Sequence, residues 1–169
     1  MRQKGQILQE IAEELKKEGF QTSRRDPFFA WVHGIPVDQG AREGGMGDTL
    51  YILEPPVPKI APFDFAAVSL RIDRDHLFFQ LSLYYTIESV VDAETINELY
   101  DLHATRWAPA LHTFFNDIAN EFSLTWDTEY DEYIEDSLCG MFLIDSSHRI
   151  VEIMSAIKRQ SAKWKQEGN

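Results

Sequence analysis

Residues 65–87 read FAAVSLRIDRDHLFFQLSLYYTI, and the fold turns on this stretch. Ala66, Val68, Leu70 and Ile72 alternate with Ala67, Ser69, Arg71 and Asp73. After a short polar turn, Leu77, Phe79, Leu81, Leu83 and Tyr85 alternate with Phe78, Gln80, Ser82 and Tyr84. A period of two places each set on one face of a sheet, so the stretch predicts a β-hairpin. If Ile72 faces Leu77, then Leu70 faces Phe79, Val68 faces Leu81 and Ala66 faces Leu83. Every pair then joins apolar to apolar, whereas a slip of one residue would expose the whole set. At about 1.5–3 kcal/mol for each large apolar side chain buried, this face forms a main part of the core.

The chain around the hairpin has 169 residues, the size of a single domain over residues 1–169. Hydrophobic residues at 44% and aromatics at 12% suit an ordered globular protein. A net charge of −12 argues against nucleic acid, whose phosphates are held by Lys and Arg, and against anionic membrane surfaces. It is compatible with a basic protein or peptide partner. The single Cys139 excludes an internal disulfide and a multi-cysteine metal site. No apolar run approaches the roughly 20 residues that span a bilayer. The first 20 residues carry acids through their apolar stretch, unlike a secretory signal, so a cytoplasmic protein is expected.

Working outward, residues 6–18 predict an amphipathic helix with Ile7 or Leu8, Ile11 and Leu15 on one stripe and Gly19 as its stop. Residues 28–33, FFAWVH, predict a strand on their aromatic content. A glycine- and proline-rich irregular stretch over 34–62 follows, with a mobile loop around Gly40, Gly44, Gly45 and Gly47. Within it, residues 48–54 predict a further strand, and Pro55, Pro56, Pro58 and Pro62 an extended connector. Beyond the hairpin, Asp92 caps a helix whose apolar stripe continues in phase past Pro109, which reads as one long helix kinked there. Phe122, Leu124 and Trp126 then alternate as a strand. Residues 127–136 are acidic and predict a solvated hairpin tip, and LCGMFLI (138–144) a strand covered on both faces. Ser146 or Ser147 caps a last helix with Ile150, Ile153, Met154, Ile157 and Trp164 on its stripe. The fold class is α+β, an antiparallel twisted sheet with helices packed on one side, in the order α-β(3-4)-α-β(2)-α.

Candidates for chemistry are few. The glycine cluster lacks the Lys and the following helix of a phosphate loop. The acidic stretch has Glu132 where a calcium loop needs glycine and Leu138 where it needs glutamate. His103 and His112 lie about 180° apart on a helix and cannot share a metal. Cys139, in the most apolar strand, reads as an inert core thiol. No catalytic constellation, metal set or cofactor motif is legible. Two binding surfaces stand out. Phe78 and Tyr84 occupy the hairpin face away from the main apolar set, with Phe28 and Trp31 upstream, and could line a protein-binding surface unless a second layer of helices covers them. His33, with Asp38 and Asp48 at the two ends of the glycine-rich loop, marks a possible small-molecule pocket near 34–48.

The order helix, strands, long helix, two strands, helix in a small acidic chain resembles the type III secretion chaperone-like fold. That fold is shared by secretion chaperones and by families of unassigned role, bacterial sensory-transduction regulators among them. In this resemblance the central hairpin and one strand from 28–54 form the three-stranded sheet. Residues 92–121 form the long helix, 122–144 the second hairpin and 147–164 the last helix. The extra strand and the 34–62 stretch depart from the compact form of the family. The resemblance implies a non-enzymatic, chaperone-like protein, a homodimer that presents an apolar groove or sheet face to an extended protein segment. A small-molecule binder or enzyme using His33, Asp38 and Asp48 is the alternative.

Overall fold

The computed structural model describes residues 3–37, 49–58, 63, 65–86, 97–98, 100–101, 105, 108–130 and 133–166. In chain order they form α1 (Lys4–Lys17), β1 (Gln21–Ser23), α2 (Pro27–His33), β2 (Thr49–Leu53), β3 (Phe65–Asp73) and β4 (His76–Thr86). There follow α3 (Ala108–Phe122), β5 (Thr125–Tyr130), β6 (Tyr133–Leu143) and α4 (His148–Gln166). The strands make one six-stranded antiparallel sheet in the order β1-β2-β3-β4-β6-β5.

The hairpin register is the one that apolar pairing predicts. Ile72 faces Leu77, Leu70 faces Phe79, Val68 faces Leu81 and Ala66 faces Leu83. The turn between them holds Arg74 at a φ of 56°. The neighbouring strands continue the same parity, with Leu50 opposite Leu70, Ile52 opposite Val68 and Leu138 opposite Leu81. One face of the sheet is thus apolar across four strands. The three long helices pack on it through Leu8, Ile11 and Leu15 of α1, Leu111, Phe115 and Ile118 of α3, and Ile150, Ile153 and Ile157 of α4. The α+β class with helices on one side follows directly. Gly140 of β6 sits opposite Phe79 on this face, and a Cβ there would overlap Leu124 Cδ2, so the glycine lets the end of α3 close down on the sheet. The proline connector is tied to the helical layer by the Ser161 hydroxyl of α4, which donates to the Pro56 carbonyl.

Three local expectations are corrected. Residues 28–33 belong to the helix α2 rather than to a strand. Asp26 Oδ1 accepts from the Phe28 and Phe29 amides at 2.8 and 3.3 Å, Pro27 takes the first helical position, and Gly34 closes the helix in the left-handed region at φ 64°. These end signals outweigh the β propensity of the aromatic run. The strand expected from Phe122 starts at Thr125, because Phe122 completes α3 and Ser123, at φ 57°, turns the chain. The run 138–144 is not covered on both faces, since Met141 and Leu143 are 57% and 50% exposed.

The acidic stretch 127–136 is also more ordered than a solvated tip, with β5 running to Tyr130 and β6 starting at Tyr133. Asp136 is fully buried on the helix side and accepts a 2.6 Å hydrogen bond from the Thr128 hydroxyl. Of the single kinked helix expected over 92–121, residues 108–121 belong to α3 and Asn97, Glu98, Tyr100 and Asp101 are helical, while 92–96, 99, 102–104 and 106–107 lie outside the described residues. The glycine loop at 38–48 lies outside them too.

Two substitutions separate the sheet's faces. Phe79, 1% exposed in the core, should cost about 3–5 kcal/mol as Phe79→Ala in urea unfolding. Half-buried Phe78, its neighbour on the opposite face, should cost clearly less as Phe78→Ala; equal losses would contradict the assignment of faces. Asp26→Ala should lower stability by about 1 kcal/mol through the lost helix cap, with Asp26→Asn close to wild type.

Candidate functional site

Parity puts a second set of side chains on the face that the three long helices do not touch. From β2 come Thr49 and Tyr51, from β3 Phe65, Ala67, Ser69 and Arg71, from β4 Phe78, Gln80, Ser82 and Tyr84, and from β6 Glu135, Ser137, Cys139 and Met141. Together with Asp26 and Phe28, most of them line an open groove of about 570 Å³ that runs across the sheet. At one end α2 closes on it. The Phe28 ring stacks on Tyr84 at 4.2 Å, and Trp31 stacks on Phe65 at 4.9 Å, with Phe28 and Trp31 5.8 Å apart. At the other end the Arg71 guanidinium lies over the Phe78 ring at 5.2 Å, beside exposed Met141. So α2 covers Tyr84, but Phe78 is covered by a long side chain rather than by a helix.

The middle of this face is polar and organised around Glu135. Its Oε1 accepts from Gln80 Nε2 at 3.1 Å, from Ser82 Oγ at 2.7 Å and from Ser137 Oγ at 2.5 Å. Ser82 and Ser137 are only 2% and 5% exposed, so this carboxylate satisfies hydroxyls that would otherwise be stranded in the sheet. Burial first, then the Glu135 carboxylate, raises the Tyr84 phenol well above its usual range; neighbouring Ser82 opposes them, and Asp26 and Tyr51 add smaller increases. Burial and Asp26 push Tyr51 up to about 12. Both phenols are therefore neutral hydrogen-bonding groups at physiological pH. Cys139 is half-exposed on this face rather than packed in the core. Burial raises its thiol pKa first, and the carboxylates of Glu135, Glu129 and Asp127 raise it further, the opposite of what a nucleophile needs.

The residues singled out from sequence divide clearly. Phe28, Trp31 and Tyr84 meet in one aromatic cluster, and Phe78 lies on the same face at the far end of the groove. His33 stands exposed in the last turn of α2 with its ring 4.3 Å from Phe29, and it lines neither this groove nor the cavity described next. Asp38 and Asp48 lie outside the described residues. A second cavity of about 900 Å³ does lie beside α2, lined by Trp31, Ile35, Val37, Pro55, Val57 and Phe63 among others. Its lining is almost wholly apolar, with Gln21 and Glu54 as the polar exceptions.

Sequence reasoning missed Asp26 and Glu135. The first was visible as a helix cap before Pro27; the second sits in an acidic run in which no local signal distinguishes it. Among the described residues, no group of three or more His, Cys, Asp or Glu side chains could hold a metal ion. No helix among them is long and apolar enough to cross a membrane. No protein-family model, curated protein or solved structure matches the chain.

The state of Cys139 is directly testable. Near neutral pH, iodoacetamide should alkylate it more slowly in the folded protein than in the urea-unfolded chain, and Glu135→Gln should speed the folded-state reaction. A folded protein that reacts faster than the unfolded chain would show an activated thiol instead.

Proposed function

We propose that this protein is a non-enzymatic, chaperone-like binding protein that holds an extended segment of another protein on the open face of its sheet. The observation that carries the reading is the groove itself. It is shallow and long, with aromatic rings at one end and exposed Met141 at the other. Such a surface suits side chains arriving from an extended backbone, and large exposed apolar groups around a polar floor are what an interaction face presents. The element order supports the resemblance to type III secretion chaperones, with β1 and α2 as additions ahead of β2.

The reading includes a homodimer in the cytoplasm. Residues 140–143 of β6 extend past the end of β5, which pairs only as far as Cys139. Among the described residues this edge of 140–143 pairs with no further strand, and beside the exposed Met141 and Leu143 it suits a strand from a second copy. The alternative, a small-molecule binder, is favoured by the apolar cavity of about 900 Å³ beside α2, a size that suits a small hydrophobic ligand.

Thermal unfolding with added ligands separates the readings, because a ligand that binds only the folded state stabilises it, by about 2.7 kcal/mol at a hundred times its Kd. Extended apolar peptides should raise the Tm, and Met141→Asp should remove the rise while leaving the unliganded Tm nearly unchanged. A Tm that rises with hydrophobic metabolites and not with peptides would favour the cavity. Light scattering at high concentration that gave a strict monomer would remove the dimer.

A further inference from the structure

Helix α2 contributes to both hollows at its end of the sheet. Phe28 lines the groove, whereas Pro27, Ala30 and Trp31 line the cavity of about 900 Å³. The walls of that cavity are held by contacts of their own. Trp31 stacks on Phe65 with centroids 4.9 Å and planes 15° apart. The Ile35 amide donates to the Ala30 carbonyl at 3.0 Å and folds the chain back against α2. On the connector side the Val57 amide donates to the Pro55 carbonyl at 2.8 Å, and the Ser161 hydroxyl of α4 holds the Pro56 carbonyl. Pro27, Pro36, Pro55 and Pro58 all line the cavity, and each fixes its own φ. Walls built this way keep their shape, so little ordering is left for a ligand to impose. The lining also sorts by depth. Ala30, Pro55, Pro58 and Leu83 are buried, whereas the two polar residues, Gln21 and Glu54, are exposed and stand at the mouth. Glu54 turns the chain out of β2 at a φ of 46°, and it is the only ionisable side chain among the described lining residues. Among the described residues its carboxylate has no ion-pair partner.

We propose that this cavity binds a hydrophobic amine, its aliphatic or aromatic body between α2 and the proline connector and its ammonium at the mouth beside Glu54. The inference rests on the small-ligand reading of the cavity, not on docking in the groove, and names the class of ligand. The apolar walls select the body, because burial removes its surface from water. The head follows from charge. A carboxylate head would meet Glu54 and no cation among the described lining residues, in a protein of net charge −12. An ammonium is attracted by both. Glu54 is exposed to solvent, so its share is small and the body supplies most of the affinity.

The test compares phenyloctylamine, phenyloctanol and phenylnonanoate, which share one body and differ in the charge of the head, by titration calorimetry below the concentrations at which they aggregate. The amine should bind the wild-type protein about threefold more tightly than the alcohol, the scale of an exposed ion pair, and the carboxylate more weakly than either. Glu54→Gln should bring the amine to the affinity of the alcohol and leave alcohol binding unchanged. Glu13→Gln/Glu14→Gln on α1, which lines no part of the cavity, should keep the preference. Ala30→Phe, which puts a ring into the cavity, should weaken all the probes by about tenfold or more. If that variant fails to fold, Ala66→Leu fills the cavity from the sheet and should act in the same sense. Equal binding of amine and alcohol by the wild-type protein would overturn the amine head and leave the cavity reading standing. A preference that survives Glu54→Gln, or one lost in the α1 variant, would overturn it too, since net charge alone would then be at work. Undiminished binding by the filled variants would place the probes elsewhere and overturn the site. If no probe binds, the cavity reading itself fails, and the docking reading, which needs only the groove, is untouched.

Discussion

The contact between β3 and β4 in a single register is the constraint on which the rest of this structure depends. Ile72 opposite Leu77 settles the parity of both strands, and through β2 and β6 it settles the parity of the sheet. A displacement by one residue would turn Val68, Leu70, Phe79 and Leu81 toward the open face and bring Arg71 and Gln80 under the helices. Among the described residues, the three long helices share their core with this face of the sheet. Their own stripes are therefore matched to a face that the hairpin alone establishes.

The same parity makes the opposite face what it is. Once the large aliphatic side chains are committed to the helices, the alternate positions carry Tyr51, Ser69, Arg71, Phe78, Gln80, Ser82 and Tyr84. A sheet face of this composition cannot form a second core without leaving polar groups unpaired. It resolves the problem locally. Glu135 gathers Gln80, Ser82 and Ser137, α2 lays Phe28 and Trp31 over the rings at one end, and Arg71 covers Phe78 at the other. What remains uncovered is the groove, bounded by side chains already held in place. On the helix side a related device recurs: Trp126 Nε1 donates to Asn116 at 3.1 Å, and Asn116 in turn bonds His112, which accounts for that histidine without a ligand.

How much of the candidate site could be read in advance depended on whether its residues shared a local period. Phe78 and Tyr84 were legible because strand alternation puts them opposite the core set. Phe28 and Trp31 were found for the wrong reason, as strand residues, yet a helix also brings positions three apart to one side, so both rings reach the same end of the sheet. His33 sits in the last turn of α2 with its ring against Phe29, while Asp38 and Asp48, with which the sequence groups it, lie outside the described residues. Glu135 and Asp26 lie 109 residues apart in the numbering, and no local period links the β6 strand that carries one to the head of α2 that carries the other.

By itself the sequence determined the elements whose signals are local: the amphipathic helices α1 and α4, the hairpin and its register, and the α+β class. Burial of a periodic apolar set needs no knowledge of the partner surface, so periodicity suffices. Tertiary structure alone decided the rest. The polar three-residue strand β1 exists because β2 offers it an edge at Tyr51–Leu53 rather than through any pattern of its own. The exposure of Met141 and Leu143 follows from where the β5 pairing stops, opposite Cys139, beside the packing of Leu124 over Gly140. The groove likewise depends on contacts between distant segments, whose energies are summed in space and leave no period along the chain.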